Sequence, residues 1–252
     1  MNNTMKTVTL LKHTLPLNDL AIGQAIDIAK SFPESRNEAR IGALIGHVTG
    51  DSNLARSLTV NERYYFLLRH QAAIQNPYTA STFDIDDYVR QSVQSDVPEK
   101  AAITDAAYVG HLYGAHVQVL EQKCENAADW LNGQMICQLY GDIASILGGD
   151  DDIHWDKIPA TASEEEINKA IEERLPMLNK LSANNQYNDL ALAFMDTYSQ
   201  LDHFVTLGLG TDGLLVHGAD DTQGGAGIKP RRFLCLSAIG GIAGKIIATF
   251  DQ

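Results

Sequence analysis

Cysteine is scarce in this sequence, and the few cysteines are not spaced as pairs. Cys124, Cys137 and Cys235 form no CxxC motif, and their odd number leaves at least one thiol unpaired. Secreted disulfide frameworks use paired cysteines at short spacings. We therefore expect free thiols and synthesis in a reducing cytoplasm, and the N-terminal segment agrees because it lacks the apolar core of a signal peptide.

Basic residues are outnumbered by acidic ones. The 252 residues include 19 Lys and Arg against 32 Asp and Glu, which gives a formal net charge of −13 at pH 7. Binding to nucleic acid or to an anionic lipid surface requires clustered Lys and Arg. The charge balance therefore argues against nucleic acid and membrane surfaces as partners, and it favours basic partners or cations.

Only one apolar run approaches the length of a membrane span. Residues 233–250 read FLCLSAIGGIAGKIIATF, and residues 240–244 within them have the GxxxG spacing of membrane helix pairs. Lys245 interrupts the run, and its glycines weaken it as a helix. We interpret it as a buried core or subunit-contact segment and expect no membrane span.

Familiar catalytic and nucleotide-binding signatures are missing. The sequence contains no GxSxG, HExxH, P-loop or active-site cysteine motif. Residues 208–213 (GLGTDG) match the GxGxxG dinucleotide fingerprint, but the following stretch is rich in Gly and Asp and is too short for a further βαβ unit. We interpret these residues as a turn, with a nucleotide-binding regulator as an alternative.

Acidic and histidine residues provide weak candidates for a metal site. Residues 149–156 (GDDDIHWD) lack the EF-hand spacing, which favours a solvated acidic turn. His111 and His116 lie in a run with strand-like alternation, so they would point to opposite faces. His203 and His217 flank a glycine-rich stretch, and no spacing brings them together. We expect no metal, no cofactor and no catalytic residues here.

Apolar spacing predicts an α+β fold that is mainly helical, with a small antiparallel strand element and a Gly-rich C-terminal segment. Residues 7–17 look extended, and the last of three short helices opens at a capping box, Thr59-Val60-Asn61-Glu62. A second capping box, residues 163–166, opens a further helix that breaks near Pro176. The helices are expected over residues 18–31, 34–47, 60–74, 127–147, 163–176 and 188–204, and a strand pair or bent strand over residues 107–120.

The clearest internal boundary follows the predicted long helix. Residues 149–162 combine glycine, three consecutive aspartates, a tryptophan and a proline. We therefore divide the chain into an N-terminal helical or α+β docking module, residues 1–148, and a second part, residues 149–252, with a helical pair and the Gly-rich apolar segment.

Residues 10–75 carry a resemblance to a known class of proteins. Leu15-Pro16-Leu17, the helix AIGQAIDIAKSF, the helix start ESRNEAR and the run LTVNERY at residues 58–64 resemble the N-terminal part of contractile-tailed bacteriophage tail and baseplate proteins. In particular, these residues are similar to hub and assembly-chaperone components. The resemblance implies a virion structural role without catalytic residues, through contact with other tail or baseplate proteins and with copies of itself, after synthesis in the host cytoplasm.

Apolar residues near both ends of the chain are the candidates for such contacts. An extended arm gains order by docking, and an apolar tail is a typical buried contact. The candidates are Leu10, Leu15, Leu17, Phe233, Ile239, Ile242 and Ile246. From a different class, the alternative is a soluble metal-dependent or nucleotide-binding enzyme with an acidic or histidine-containing cleft.

Overall fold

The computed structural model describes residues 6–32, 36–74, 84–90, 97–147, 153–219 and 228–239. Within these ranges the fold is α+β, and helices predominate over short antiparallel strands, as predicted. The helices are α1 (Ile22–Ser31), α2 (Asn37–Thr49), α3 (Ser52–Ser57), α4 (Val60–Ala73), α5 (Gly114–Lys123), α6 (Ala127–Gln138), α7 (Ala144–Leu147), α8 (Glu164–Leu178), α9 (Asn188–Tyr198) and α10 (Cys235–Ala238). The strands are β1 (Thr7–Thr9), β2 (Thr14–Pro16), β3 (Lys100–Ala102), β4 (Ala107–Gly110), β5 (Leu139–Asp142), β6 (His154–Trp155), β7 (Thr206–Gly210) and β8 (Gly213–His217).

The strands form three antiparallel sheets in the described part of the chain. β1 pairs with β2, β7 pairs with β8, and a four-stranded sheet has the order β3-β4-β5-β6. The predicted extended arm is therefore a hairpin, with Val8 opposite Leu15. The GxGxxG match at residues 208–213 lies in the β7–β8 hairpin, where Gly210 pairs with Gly213. This confirms the turn interpretation.

The three helices predicted within residues 18–74 are present as α1, α2 and α4, with shifts at their ends, and the predicted start of the second, at residues 34–35, lies outside the described residues. α2 ends because Gly50 adopts a left-handed φ of 74° and donates its N–H to the Gly46 carbonyl at 2.8 Å. α4 starts at the predicted capping box. The Thr59 hydroxyl accepts from the Glu62 N–H at 3.2 Å, and the Glu62 carboxylate accepts from the Thr59 N–H at 3.0 Å. The short helix α3 was not predicted.

The strand prediction for residues 107–120 is wrong in its second half. β4 ends at Gly110, and α5 begins at Gly114. Almost every side chain in the first two turns of α5 is buried, so the polar face that marks an amphipathic helix is missing from the sequence. Gly114 is required for this packing because a Cβ there would overlap the Ala55 carbonyl oxygen.

The prediction of one long helix over residues 127–147 is also wrong. α6 ends at Gln138, and the chain turns into β5, whose Tyr140 pairs with Tyr108 of β4. Gly141 has a φ of 95°, a conformation that a helix interior excludes. The apolar residues that suggested one helix face are buried, but they belong to more than one element.

The C-terminal helices follow their predictions more closely. The Ser163 and Glu166 capping box opens α8, and Pro176 lies in its last turn. α9 ends at Tyr198, earlier than predicted, in a short 3-10 turn (Ser199–Leu201). One hydrophobic cluster includes residues from both predicted domains, because α8 packs on α5 and α6. No described helix is long and apolar enough to cross a membrane.

Candidate functional site

The described interface candidates lie against the chain's own core. Leu10 and Leu15 are each 3% exposed and belong to the main hydrophobic cluster, against which Leu17 is partly buried. Phe233 and Ile239 are buried in the same cluster, whereas Ile242 and Ile246 lie outside the described residues. Use of the buried side chains at an interface stays a prediction that would require this packing to open.

A buried polar cluster, the α2 polar cluster (Asn37, Glu38, Arg63, Tyr64 and Glu121), surrounds the start of α2. The guanidinium of Arg63 is fully buried and donates from Nη2 to the Glu38 carbonyl at 2.6 Å. The Glu38 carboxylate accepts from the Tyr64 hydroxyl at 2.6 Å and lies 3.4 Å from Arg63 Nη2. Both Nη atoms of Arg63 have hydrogen-bond partners, whereas its Nε is buried without one in the described part of the chain. Removal of either charge would leave the other buried and unpaired, which is strongly destabilising.

The remaining two members of this cluster connect α2 to distant parts of the chain. Glu121 of α5 accepts hydrogen bonds from the first backbone N–H groups of α2, and burial, with the adjacent Glu38 carboxylate, raises the pKa of Glu121 to about 7. The Asn37 amide donates to the Phe233 carbonyl at 3.1 Å and accepts from the Cys235 N–H at 2.8 Å. The cluster thus joins α4, α5 and the C-terminal segment to α2.

A second buried pair connects α4 to the segment before β7. Asn61 donates to the Val205 carbonyl at 2.7 Å and to Asp202 Oδ1 at 3.1 Å, and it accepts from the Phe204 N–H at 2.8 Å. Burial raises the pKa of Asp202 to about 7, although Arg90 acts in the opposite direction. The sequence gives no signal for this pairing because the partners are far apart along the chain.

The structure brings together two histidines, His111 and His203, that the sequence analysis did not pair. The rings of His111 and His203 meet edge to face with centroids 5.8 Å apart, whereas His116 lies on α5 against Tyr113. His217 lies on β8, where its ring contacts Gly208. The expectation that His111 and His116 lie on opposite faces of a strand is wrong. The strand β4 ends at Gly110, His111 comes directly after it, and His116 lies in the helix α5.

The His111–His203 pair is arranged by backbone carbonyls. His111 Nε2 lies 2.9 Å from the Pro98 carbonyl oxygen, and His203 Nδ1 lies 3.0 Å from that of Leu201. His203 Nε2 is buried without a hydrogen-bond partner in the described protein. Burial lowers the pKa of both imidazoles, that of His203 to about 4, so both are neutral near pH 7.

The candidate metal positions do not form a ligand set within the described residues. Those residues contain no group of three or more His, Cys, Asp or Glu side chains that could hold a metal ion. The aspartates at 150–152 lie outside the described residues. The cysteines are free, as expected, and burial raises the pKa of each thiol to about 12. These thiols are therefore protonated near pH 7 and are poor nucleophiles.

A shallow cleft of about 300 Å³ opens between α7, the end of α8 and the turn before α9. Its described lining is mostly apolar, with Lys180 and Gln186 as polar members. The apolar lining residues are Ala144, Leu147, Ile153, Met177 and Leu181. A mostly apolar lining suits an apolar side chain as the occupant. This lining also lacks the converging titratable groups of a reaction site.

The outer side of α9 exposes apolar side chains that the sequence analysis did not identify. Leu192 and Met195 are 52% and 44% exposed, and they are three positions apart on one helix face. Asp189 and Asp196 are exposed beside them. We call these four residues the α9 outer face. Counting helical positions in residues 188–198 identifies it, since the buried residues Leu190, Phe194 and Thr197 lie on the opposite side.

Comparisons with known proteins identify no relative of this chain. No model of a known protein family matches the chain, and searches of curated proteins and of solved structures find no match. The similarity of residues 10–75 to tail and baseplate proteins therefore stays a prediction from short motifs.

Proposed function

We propose that this protein is a structural component of a phage tail or baseplate and acts by protein–protein contact within a symmetric assembly. One observation carries the proposal: the α9 outer face presents Leu192 and Met195 to solvent side by side. Single exposed apolar residues are ordinary on a protein surface, but adjacent ones on a regular helix face are typical of contact surfaces. The motifs of residues 10–75 support the choice of assembly.

The buried charges support a structural role for the same region. In the α2 polar cluster, Glu38 and Arg63 are buried, and their hydrogen bonds join α2 to α3 and α4. Asn61 in α4 similarly secures the segment before β7. These buried groups hold the helices in register. The module that resembles tail proteins is thus built for rigidity.

The enzyme alternative also has a specific observation in its favour. His203 Nε2 is buried and unpartnered beside His111, and perturbed groups of this kind are enriched at functional sites. The nucleotide-binding form of the alternative has less support, because residues 208–213 form a strand hairpin and not the N-terminus of a helix. If this imidazole pair acts on a substrate, the protein should show catalytic turnover that the substitution His203→Ala abolishes.

The test is the location of the protein in particles from cells that produce the phage. Antibodies against the chain should label the tail or baseplate in electron micrographs. Quantitative mass spectrometry should find a copy number that is a multiple of the tail symmetry. Absence from both mature particles and tail assembly intermediates would contradict the proposal. Chemistry that depends on His203, found in protein absent from particles, would favour the enzyme.

A further inference from the structure

We propose that the α9 outer face docks a basic amphipathic helix of a partner protein. This inference rests on the proposed function, because it names the chemistry of the partner at the same contact surface. The partner has a charge opposite to that of this chain and is not a second copy of it.

The arrangement of residues around α9 defines the shape of the docking surface. At about 100° per residue, Leu192 and Met195 lie within about 60° of each other on the solvent side. The small polar residues Asn188 and Ser199 fall within the same sector and are exposed. Leu190, Phe194 and Thr197 are buried on the opposite side, so the helix cannot rotate to cover the apolar pair. The docking surface is therefore the apolar pair Leu192 and Met195, which spans about one turn, with an exposed polar residue beyond each end.

The carboxylates of the face lie on one edge of this apolar pair. Asp189 and Asp196 follow Leu192 by about 40–60° around the helix axis and are exposed. Within the described chain, no salt bridge joins either carboxylate to a Lys or Arg side chain. The complementary surface is therefore an apolar row with cations along one side. A helix with apolar residues at i, i+3 and i+7 and flanking Lys or Arg presents that pattern.

The overall charge argues against a second copy as the occupant. Each copy carries a formal charge of −13, and the same two carboxylates would approach their equivalents across a symmetric contact. Like charges brought together at an interface are unfavourable. A basic helix instead gains both apolar contact with Leu192 and Met195 and attraction to Asp189 and Asp196.

The test uses a synthetic helical peptide of leucine and lysine with the apolar spacing given above, and a second peptide with glutamate in place of lysine. Binding is measured by fluorescence anisotropy at physiological salt. The wild-type chain should bind the lysine peptide and not the glutamate peptide. Leu192→Asp and the double change Asp189→Lys with Asp196→Lys should each weaken binding by about tenfold or more, which is about 1.4 kcal/mol.

Ile22→Asp is the matched control. Ile22 is 55% exposed on α1, so the change adds the same negative charge at another exposed apolar residue. Unaltered binding by this variant, together with the loss in Leu192→Asp, assigns the docking to α9. Equal effects of the two variants, or no effect of Leu192→Asp, would show that the peptide follows net charge alone and would overturn the proposal. Thermal melts of all variants establish that each is folded.

Two further outcomes separate this inference from the proposed function. A wild-type dimer that Leu192→Asp dissociates would assign the face to a second copy and overturn the basic-helix proposal. Normal incorporation of the Leu192→Asp variant into particles would also overturn it, while leaving the tail or baseplate role intact. Absence of the wild-type chain from particles contradicts the structural role, whatever the peptide result.

Discussion

Glu121 of α5 caps α2 through the backbone of Glu38, whose N–H donates to Glu121 Oε1 at 2.7 Å. The next N–H, of Ala39, donates to Glu121 Oε2 at 3.1 Å. A carboxylate is favoured at a helix N-terminus because the free N–H groups and the helix dipole attract negative charge. The same position is buried and close to the Glu38 carboxylate, and these two effects raise the pKa of Glu121 above its ordinary value.

This relationship predicts a stability that depends on pH. The folded pKa of Glu121 is about 7, above its ordinary value of 4.5, so folding favours the protonated form. The resulting stabilisation is complete below the unfolded pKa and is lost as pH rises through about 7. We expect the free energy of unfolding of the wild type, relative to that of Glu121→Gln, to fall as pH is raised from about 5.5 to about 8.

Urea titrations of both proteins across that range measure this difference. Asp202 has its pKa raised in the same direction, so it contributes a similar slope in both proteins, which cancels in the comparison. A difference independent of pH would show that the folded and unfolded pKa values of Glu121 are the same.

The buried histidine of the His111–His203 pair predicts the opposite dependence. Burial lowers the pKa of His203 to about 4 from its ordinary 6.5, so the unfolded chain takes up a proton first as pH falls. The stabilisation is present above about 6.5 and is lost as pH falls towards about 4. We expect His203→Phe to be less sensitive to acid than the wild type over this interval, as measured by thermal melts. His116, whose pKa is lowered to about 4, leaves part of the dependence in place.

The N-terminal hairpin predicts that the arm is needed for stability. Leu15 is 3% exposed and pairs with Val8 in the core, so Leu15→Ala should lower the free energy of unfolding by about 2–5 kcal/mol. The matched change is Leu192→Ala on the exposed α9 outer face, where an effect within about 0.5 kcal/mol is expected. Equal costs in urea unfolding would contradict the burial of the arm. A purely docking arm would instead tolerate Leu15→Ala.

Local chemistry in the sequence was sufficient to predict several elements. The capping boxes at Thr59 and Ser163 are satisfied within three residues, so their hydrogen bonds follow from the sequence alone. The turn within residues 208–213 likewise follows from its glycines, whereas the flanking strands β7 and β8 were not predicted. The helix α5 was missed because burial removes the polar face that a periodic pattern needs. The strand β5 was missed because its buried Leu139 continues the apolar spacing of α6.

The candidate sites depended on contacts that no local pattern indicates. Asn37 meets the segment at Phe233, and Asn61 meets Asp202, across most of the chain. His111 approaches His203 only after β4 and the turn following α9 are placed side by side. Tertiary packing therefore determined which polar residues are neighbours, whereas the exposed pair on α9 was accessible to helix-face counting.

Two glycines in helices provide a matched test of the packing around the α2 polar cluster. A Cβ at Gly114 of α5 would overlap the Ala55 carbonyl oxygen and would lie 2.6 Å from Arg63 Nη1. Since Arg63 is fully buried and donates to that carbonyl, neither group can retreat without breaking the charge pair with Glu38. Gly114→Ala should therefore destabilise the fold by about 3 kcal/mol or more, as expected when a buried charge loses its partners.

Gly23 of α1 is the control, because no atom lies within 4 Å of a Cβ built there. Gly23→Ala should raise the free energy of unfolding by up to about 1 kcal/mol, since alanine loses less backbone entropy than glycine in a helix. Urea unfolding of the wild type and of both variants measures the effect of the same Gly-to-Ala substitution at the two positions. Stabilisation by both changes would show that α5 does not approach Ala55 closely, and the packing that joins α3, α4 and α5 around Arg63 would have to be revised.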